Sequence, residues 1–467
     1  SAVNVVGEGP QSIEACGIPQ GQSTFLGCFA NIYKPLTNPV FIYPISDGYI
    51  IAGNTVYDNS GIKLIVPKII KLNPDGSIAW SKIYTYQNYN EHLELKEAFI
   101  NPYSDLIVLS GIRKPFNVDN PDVFIITLNK DNGNVISSYL FGSFNREYYG
   151  SVNYSNDGRL LLSLSSLRTG YSGSRPVLIK TSGGSIDWAK VYLIDQFIGD
   201  LIAKQDRENN LILVGPKTPT FRETFVIKTD SVGNVIWAKR YGQTIGSTPV
   251  SDFIINDRNE ILVLTSNRLL VLNSKGDVQK VISFSNVGLR KIIQVNDGYI
   301  IGGDIDISLG ISDMVLIKLN NNYQFQLARK ISSSYDDKFR FISKNVDNGY
   351  LISGQTFYSI SRFNPDTLGI KTDPAMNIGF NADSGFNISN INIDVTETSY
   401  ILSSSVKVDS PNLNLSNWGA TPVSFTVYTY NDPTDFVNIG SKCSEIPSQP
   451  PSPPRNLSAN PGNSTVY

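Results

Sequence analysis

The chain has 467 residues, of which 41% are hydrophobic and 17% are charged, with a formal net charge of −2. This balance argues against a nucleic-acid-binding protein and against electrostatic attachment to anionic membranes. No run approaches the roughly 18 apolar residues of a membrane-spanning helix, so we expect no direct membrane insertion. Few charges with many Asn, Ser and Tyr residues favour strands and polar turns over surface helices.

Three cysteines occur, at positions 16, 28 and 443. Cys16 and Cys28 lie in a segment rich in Gly, Pro and Gln, where a disulfide in an oxidising compartment would tie down a weakly structured arm. A zinc site is the alternative, but it lacks ligands because His92 is the single histidine. We predict a Cys16–Cys28 disulfide and no metal. Cys443 then pairs with another chain, stays free, or bonds to one of the other two.

The first residues form an arm before any clear pattern. Residues 1–22 are polar with Gly and Pro, and we expect them to be irregular. Residues 23–33 are the first strand candidate, and their end is similar to the Trp-containing strands found later in the chain.

A repeating unit begins near residue 41. Its marker is a turn of Asp, Asn or Gly, then an apolar run, then a small residue. The interval of about 40 to 50 residues is that of propeller blades. The eight copies start at Asp47, Asp105, Asp157, Asn210, Asn259, Asp297, Asn348 and Thr398.

Each marker belongs to a set of four strand patterns joined by tight turns. The fourth copy shows the order most clearly, with strands at 199–205, 211–214, 224–228 and 235–241. Four antiparallel strands of this kind make one blade of a β-propeller. The second strand is apolar at nearly every residue, as expected where neighbouring blades cover both faces.

The predicted fold is all-β: a single propeller of four-stranded blades over residues 23–440. Eight markers favour eight blades; seven is the alternative, with an irregular insertion near 364–430. We expect residues 23–33 to pair in the last blade and close the ring, which hides the sheet edges.

The composition changes after the last repeat. Residues 441–454 form a Pro-rich linker, which is stiff and extended. Residues 455–467 resemble the opening of a fibronectin type III domain, in which Pro-x-x-Leu and a Gly-containing turn lead into the first strands. We therefore expect the chain to be part of a longer protein.

The spacing Gly-x-x-x-Trp occurs three times, ending at Trp80, Trp188 and Trp237. It resembles the tryptophan-docking motif of quinoprotein dehydrogenases, which are eight-bladed propellers in which Trp locks neighbouring blades. This sequence lacks that family's adjacent Cys–Cys pair and its Ala-x-Asp-x-x-Thr-Gly prefix. The resemblance therefore implies blade packing by the three tryptophans and no redox catalysis.

Signals of other chemistry are incomplete. Residues 73–80 resemble a sialidase Asp-box, but Gly76 is displaced and the Ser and Thr are missing. His92 has no nucleophile in a recognisable elbow, so we interpret it as a loop or strand residue. The loops 129–133 and 303–306 could hold calcium but lack the full ligand spacing, and turn formation explains their composition. We predict no catalytic residue and no cofactor.

Five Asn-x-Ser/Thr sequences are candidate N-glycosylation sites in a secreted protein, at Asn153, Asn387, Asn414, Asn456 and Asn463. Abundant Tyr and Phe in loops suit contact with sugars or proteins.

The repeats resemble those of secreted bacterial and archaeal propellers strung with fibronectin-like modules. This resemblance implies an extracellular, non-enzymatic attachment protein, such as a cell-surface adhesin or the tail-fibre head of a virion. Its partners would be a cell-surface glycan or protein and other subunits of the assembly. The alternatives are a carbohydrate-active hydrolase or lyase and a structural subunit of a surface layer or filament.

Overall fold

The protein is all-β in every part that the structure describes. The computed structural model describes residues 28–59, 61–86, 91–115, 121–142, 146–167, 174–182, 184–194, 201–217, 223–242, 250–308, 311–357, 365–380, 387–391, 393, 395–397, 402–405, 419–422, 425–429 and 436–442. The predicted arm, residues 443–454 of the predicted Pro-rich linker and the fibronectin-like segment lie outside these residues. Residues 441 and 442, expected to begin the linker, instead end the last strand of the structure. No helix in the described residues is long and apolar enough to span a bilayer.

The strands form seven antiparallel sheets, which are the seven blades. The first strand of the chain is β1 (Phe29–Tyr33), whose place in blade 7 is described below. The strands are β2 (Asn38–Ile45), β3 (Gly48–Asn59), β4 (Ile62–Leu72) and β5 (Ile78–Tyr86) in blade 1; β6 (His92–Ile100), β7 (Leu106–Lys114), β8 (Asp122–Asn129) and β9 (Val135–Gly142) in blade 2; β10 (Arg146–Tyr154), β11 (Leu160–Leu167), β12 (Arg175–Ser182) and β13 (Ser185–Val191) in blade 3; and β14 (Ile202–Gln205), β15 (Leu211–Lys217), β16 (Glu223–Thr229) and β17 (Val235–Gly242) in blade 4.

The remaining blades follow the same order. Their strands are β18 (Val250–Ile255), β19 (Ile261–Thr265), β20 (Arg268–Leu272) and β21 (Val278–Phe284) in blade 5; β22 (Val287–Val295), β23 (Gly298–Ser308), β24 (Ile311–Asn320) and β25 (Phe325–Ser332) in blade 6; and β26 (Asp337–Lys344), β27 (Tyr350–Thr356) and β28 (Asp366–Lys371) in blade 7. Middle strands such as β19, β27 and β28 are buried at every residue, because neighbouring blades cover both of their faces.

The first strand of each blade is innermost. These inner strands contact one another in the order β2, β6, β10, β14, β18, β22, β26 and back to β2, which makes a closed ring. The protein is therefore a seven-bladed β-propeller. The expected eight blades are wrong, and the seven-bladed alternative is confirmed.

Strand β1 closes the ring by serving as the fourth strand of blade 7. It pairs antiparallel with β28, with Ala30 opposite Ile370 and Tyr33 opposite Thr367. The N-terminal strand therefore joins the last blade, as the sequence pattern predicts. Its described part begins at Phe29, and residues 23–27 lie outside the described residues.

The segment that follows blade 7 forms a peripheral belt around the ring rather than an eighth blade. Its strands are β29 (Gly379–Phe380), β30 (Asn387–Asn390), β31 (Val395–Glu397), β32 (Leu402–Ser405), β33 (Gly419–Pro422), β34 (Phe425–Thr429) and β35 (Phe436–Lys442). β30 adds to blade 6, β31 to blade 5, β32 to blade 4, β33 to blade 2 and β34 to blade 1, each beside the fourth strand.

The peripheral belt runs against the order of the blades and ends beside its own beginning. β35 lies between β1 and β29 in blade 7 and pairs with both. Each added strand occupies the outer edge of a blade, where unpaired backbone N–H and C=O groups would otherwise face solvent. The apolar run of the eighth marker, which starts at Thr398, thus overlaps β32 at the outer edge of blade 4 and belongs to no eighth blade.

Two residues spaced four apart on a fourth strand hold a turn of the next blade. Trp80 Nε1 donates a hydrogen bond to Asp131 O at 2.9 Å, and Tyr84 OH donates to Gly133 O at 2.8 Å. Gly133 has φ +67°, and a Cβ on it would lie 2.7 Å from the Trp80 ring. The turn therefore requires glycine both for its backbone conformation and for the indole that covers it.

This clamp recurs around the ring. Trp188 and Trp237 cover Gly233 and Gly276 in the same way, and Tyr192 OH and Tyr241 OH donate to the carbonyls of those glycines at 3.1 and 2.6 Å. In blade 7 the clamp comes from β1, where Tyr33 OH and Asn31 Nδ2 donate to Gly76 O at 2.8 and 3.0 Å.

At two junctions, between blades 5 and 6 and between blades 6 and 7, the large residue belongs to the turn and not to the fourth strand of the preceding blade. Lys280 and Leu327 stand where blades 1, 3 and 4 have Trp, because they pair opposite Val271 and Lys318 at the equivalent register. The facing turns carry Tyr323 and Met376, with φ of 66° and 61°, in place of Gly. A large residue on the turn thus replaces the indole of the preceding blade.

Replacing Tyr241 by Phe is expected to lower the free energy of unfolding by about 1 to 2 kcal/mol, because the buried Gly276 carbonyl would lose its donor. Tyr103→Phe is the matched control. Its hydroxyl also donates across a blade junction, but the residue is 54% exposed, so the loss should stay below about 0.5 kcal/mol. Urea denaturation of both variants measures the difference, and equal losses would contradict the role of the clamp.

Candidate functional site

The two ends of the ring differ in their connections. At one end, the turn face, each blade presents a tight turn between its first and second strands and another between its third and fourth. These turns carry most of the amide side chains, among them Asn101, Asn129, Asn156, Asn209, Asn234, Asn256, Asn273, Asn296, Asn321, Asn345 and Asn377. At the other end, the loop face, lie the connections between second and third strands and between successive blades.

Amide and carboxylate side chains build the turns themselves. Asn129 Oδ1 accepts from the backbone N–H groups of Asp131 and Asn132 at 2.9 and 3.2 Å. This accounts for the composition of the 129–133 loop, which was a calcium candidate. The other candidate, 303–306, lies within β23. The described residues contain no group of three or more acidic, His or Cys side chains arranged to hold a metal ion.

A pocket of about 250 Å³ opens on the turn face between blades 5 and 6. It lies at one of the two junctions where a large residue, Tyr323 or Met376, replaces the turn glycine. Backbone turns of both blades form its rim, and amide, charged and aromatic side chains line it. The lining residues are Asn256, Asp257, Arg258, Gln294, Val295, Asn296, Tyr299 and Asn321.

The base of this pocket is a buried polar network. Asn256 Nδ2 lies 2.9 Å from Tyr299 OH and 3.1 Å from Tyr323 OH, and the two tyrosine rings stack with centroids 5.2 Å apart. Tyr323 OH donates to Glu260 Oε2 at 2.6 Å. Burial alone would raise the pKa of Glu260, but the hydrogen bonds it accepts outweigh burial and lower that pKa.

Arg258 links the network to the rim. Its Nε donates to Glu260 Oε2 at 2.8 Å, and its Nη2 donates to Asn321 O at 3.1 Å. The guanidinium carbon lies 5.4 Å from the Tyr323 ring centroid. Because this side chain is held at several points and remains 47% exposed, it presents preoriented donors to solvent.

The rest of the rim offers acceptors and donors side by side. Asp257 is exposed and accepts from Gln294 Nε2 at 2.9 Å. Asn296 Oδ1 accepts from Lys344 Nζ at 2.8 Å. Hydroxyl groups of a sugar donate and accept at once, so such a rim is chemically suited to them.

The central channel holds a second group of charges. Six of the seven inner strands carry a β-bulge at the equivalent place, and bulges often re-aim side chains at functional sites. The extra residues are Val40, Lys96, Gly150, Ser251, Arg290 and Arg340.

Asp252 of blade 5 is the centre of this group and is 2% exposed. Lys204 Nζ of blade 4 and Lys291 Nζ of blade 6 lie 3.4 and 3.3 Å from its two carboxylate oxygens. The N–H of Ile292 donates to Oδ2 at 3.2 Å. Burial alone would raise the pKa of Asp252, but the two ammonium groups outweigh burial and lower that pKa.

Glu97 of blade 2 supplies a second carboxylate near the ammonium groups of Lys204 and Lys291. Its Oε2 accepts from Tyr149 OH and from Val152 N, both at 2.8 Å. Burial raises the pKa of Glu97 and lowers the pKa of Lys204. Two carboxylates and two ammonium groups therefore share this level, and each carboxylate has hydrogen-bond partners.

Two guanidinium groups and a carboxylate meet where blades 6 and 7 adjoin. Arg290 Nε donates to Asp304 Oδ2 at 2.9 Å, and Asp304 Oδ1 accepts from Phe339 N at 2.6 Å. Arg340 Nε donates to Gln355 Oε1 at 2.8 Å. Burial and the neighbouring charge of Arg290 lower the pKa of Arg340. Arg290 remains 50% exposed, so this point can receive an anionic group.

The residues singled out in the sequence are dispersed. Trp80, Trp188 and Trp237 lie at three blade junctions. His92 begins β6, and its Nδ1 accepts from Ile65 N at 3.1 Å. Cys28 is disulfide-bonded, while Cys16 and Cys443 lie outside the described residues.

The two glycosylation candidates that the structure describes lie on different blades. Asn153 lies in β10, and its Nδ2, the atom to which a glycan would attach, donates to Ala203 O at 2.8 Å. A glycan there would require this bond to break. Asn387 begins β30 and is exposed. Asn414, Asn456 and Asn463 lie outside the described residues.

Sequence reasoning missed the residues of the pocket and of the channel. Arg258 stands in an ordinary polar turn, and Lys204 and Asp252 lie in separate inner strands. The available signal was an ionisable residue within an otherwise apolar strand, such as Lys204 after Leu-Ile-Ala.

Comparison with known proteins identifies no family for the chain. No protein-family model matches the chain, and no curated protein matches it. Among solved structures, the chain is similar to a protein of unknown function from Bacteroides caccae, with 12% identity and a TM-score of 0.38. That similarity covers 54% of this chain and 87% of the other.

Proposed function

We propose that the protein is an extracellular, non-enzymatic attachment protein that binds a glycan through the turn face of its propeller. The observation that carries this proposal is the amide-rich pocket between blades 5 and 6, which combines a preoriented Arg258 with acceptors at Asp257 and Asn296. Its volume of about 250 Å³ suits a single sugar unit at the end of a glycan rather than a large cofactor.

Two further features support an extracellular setting. The disulfide at Cys28 fits an oxidising compartment. Residues 441–467, with a Pro-rich stretch and a fibronectin-like beginning, resemble the stalk of a secreted surface protein. In this proposal the propeller is the head of a cell-surface adhesin or of a viral attachment fibre, and other subunits of the assembly hold the stalk.

Arg258→Ala is expected to weaken binding of the recognised glycan about tenfold or more, because hydrogen bonds from a charged donor would be lost. A glycan array identifies the ligand and isothermal titration measures the affinity. Asn321→Trp is a second variant, in which a large ring at an exposed rim position obstructs the pocket.

Arg159→Ala provides the matched control, because Arg159 is an exposed arginine of the turn face in blade 3 and pairs with Asp187. It should leave affinity unchanged. Binding that survives both pocket variants, or that Arg159→Ala abolishes equally, would contradict the assignment of the pocket.

A second candidate is a hydrolase or lyase that acts on acidic carbohydrates. It is favoured by the carboxylates and guanidiniums near the channel, in particular Asp304, Arg290 and Arg340. The satisfied hydrogen bonds of Glu97 and Asp252 favour the attachment protein instead, because neither carboxylate is left to act as a nucleophile or base. Release of reducing ends or of unsaturated products from uronate polymers would support this second candidate.

A further inference from the structure

Cys28 stands at the point where the closed ring and the peripheral belt meet. It is the residue before β1, it is 5% exposed, and it is disulfide-bonded. The chain has two other cysteines, Cys16 and Cys443. The pairing of the described strands bears directly on one of them.

The register of β1 and β35 brings the end of the belt to Cys28. Tyr33 is opposite Phe436 and Ala30 is opposite Gly440. Continuing this antiparallel register by two residues places Cys28 opposite Lys442, which is the last residue of β35. Cys443 is the next residue of the sequence. Residues facing one another across antiparallel strands have Cα atoms roughly 4.5 to 5.5 Å apart, and one further residue along a strand adds roughly 3.3 Å at a right angle to that separation. A position one residue past Lys442 is therefore roughly 6 Å from Cys28, within the Cα separation that a disulfide spans. Because β35 ends at Lys442, the alternation of side chains between strand faces is not imposed on the next residue.

We propose that Cys28 is bonded to Cys443, so that the belt is fastened covalently to the strand that closes the ring. Two thiols are joined in this reaction. Each loses its hydrogen, and the two electrons and two protons pass to a thiol oxidase or a small disulfide, which is reduced. Cys16 then keeps its thiol. This differs from the Cys16–Cys28 pairing expected from sequence spacing.

The bond has a mechanical consequence, and this part rests on the proposed attachment function. A pull on the C-terminal continuation would reach β35 first and would peel it from its neighbours. With the cross-link, the pull passes to β1, which pairs with β28 on one side and β35 on the other. The propeller would then carry the load through its ring-closing strand, and the belt would stay in place.

Peptide mapping of the wild-type protein without reductant tests the cross-link and needs no ligand. Alkylation in denaturant should label Cys16, and mass spectrometry should find the Cys28 peptide joined to the Cys443 peptide. A Cys16–Cys28 peptide with label on Cys443, or a Cys28 bond between two copies, would overturn the proposal.

Hydrogen exchange tests the fastening separately. In Cys443→Ser the amides of β35 should exchange at least tenfold faster than in the wild type, whereas Cys16→Ser should leave them unchanged. Unchanged exchange in Cys443→Ser would refute the fastening role even if mapping finds the bond. Glycan binding by Cys443→Ser is measured in parallel, because loss of the attachment function and loss of the cross-link are then distinguished.

Discussion

Asp252→Ala is expected to lower the free energy of unfolding by about 3 to 5 kcal/mol at neutral pH. The carboxylate is buried between the ammonium groups of Lys204 and Lys291, and its removal leaves two cations close together in a desolvated channel. The N–H of Ile292 would also lose its acceptor. Urea denaturation of the purified protein measures the loss.

Asp277→Ala is the matched control, because it removes an aspartate of the same blade that pairs with Lys239 at 2.7 Å but is 56% exposed. Its loss should be far smaller than that of Asp252→Ala, because the charges of a surface ion pair are screened by solvent. The pH dependence provides an independent check. The lowered pKa of Asp252 means that its stabilisation is present above the unfolded-state value near 4 and is lost as the pH falls through the folded-state value. Similar losses in the two variants would contradict a buried charge network.

Asp337→Asn should instead stabilise the protein at alkaline pH. Asp337 is fully buried, and burial raises its pKa to about 7, with the charges of Asp313 and Asp336 adding to the effect. The folded state therefore holds a proton that the unfolded state releases between about pH 4 and pH 7. Stability falls as the pH rises through this window and levels off above it, by roughly 4 kcal/mol in total.

Asparagine removes this dependence while it keeps the acceptor for Ser333 Oγ, which donates to Asp337 at 2.6 Å. The gain should approach roughly 4 kcal/mol at pH 8 and vanish near pH 4. Asp297→Asn, at an exposed aspartate that pairs with Lys318, is the matched control and should keep the pH dependence of the wild type. Thermal unfolding across the pH range decides the question; parallel curves for the wild type and Asp337→Asn would exclude a buried proton at this position.

Local patterns predicted the strands and the way the ring closes. The marker aspartates illustrate why, because Asp47, Asp157 and Asp297 each pair within their own blade with a lysine of the third strand, at 2.6 to 2.7 Å. Such a contact repeats with the blade and therefore leaves a repeating sequence. The similarity of the strand ending at Tyr33 to later fourth strands has the same origin, since both hold a turn glycine of the next blade.

The number of blades could not be predicted in this way. The apolar run at 398–404 has the pattern of a blade strand, but β32 adds to the outer edge of blade 4 instead. Alternation shows that a segment forms a strand and does not show which sheet it joins. The charge network of the central channel could not be predicted for a related reason. Lys204 and Asp252 are 48 residues apart in the sequence, and no local spacing connects them.

The topology also sets the order in which the molecule can be completed during synthesis. β1 leaves the ribosome long before its partner β28, which lies more than three hundred residues later, and Thr367 Oγ1 reaches Leu36 O across 331 residues. Until then the growing arc has two open ends, and joining them requires closure of a very long loop. β35, which pairs with both β1 and β29, is made later still. A nascent chain released before that point would keep one edge of β1 exposed to pairing with other chains.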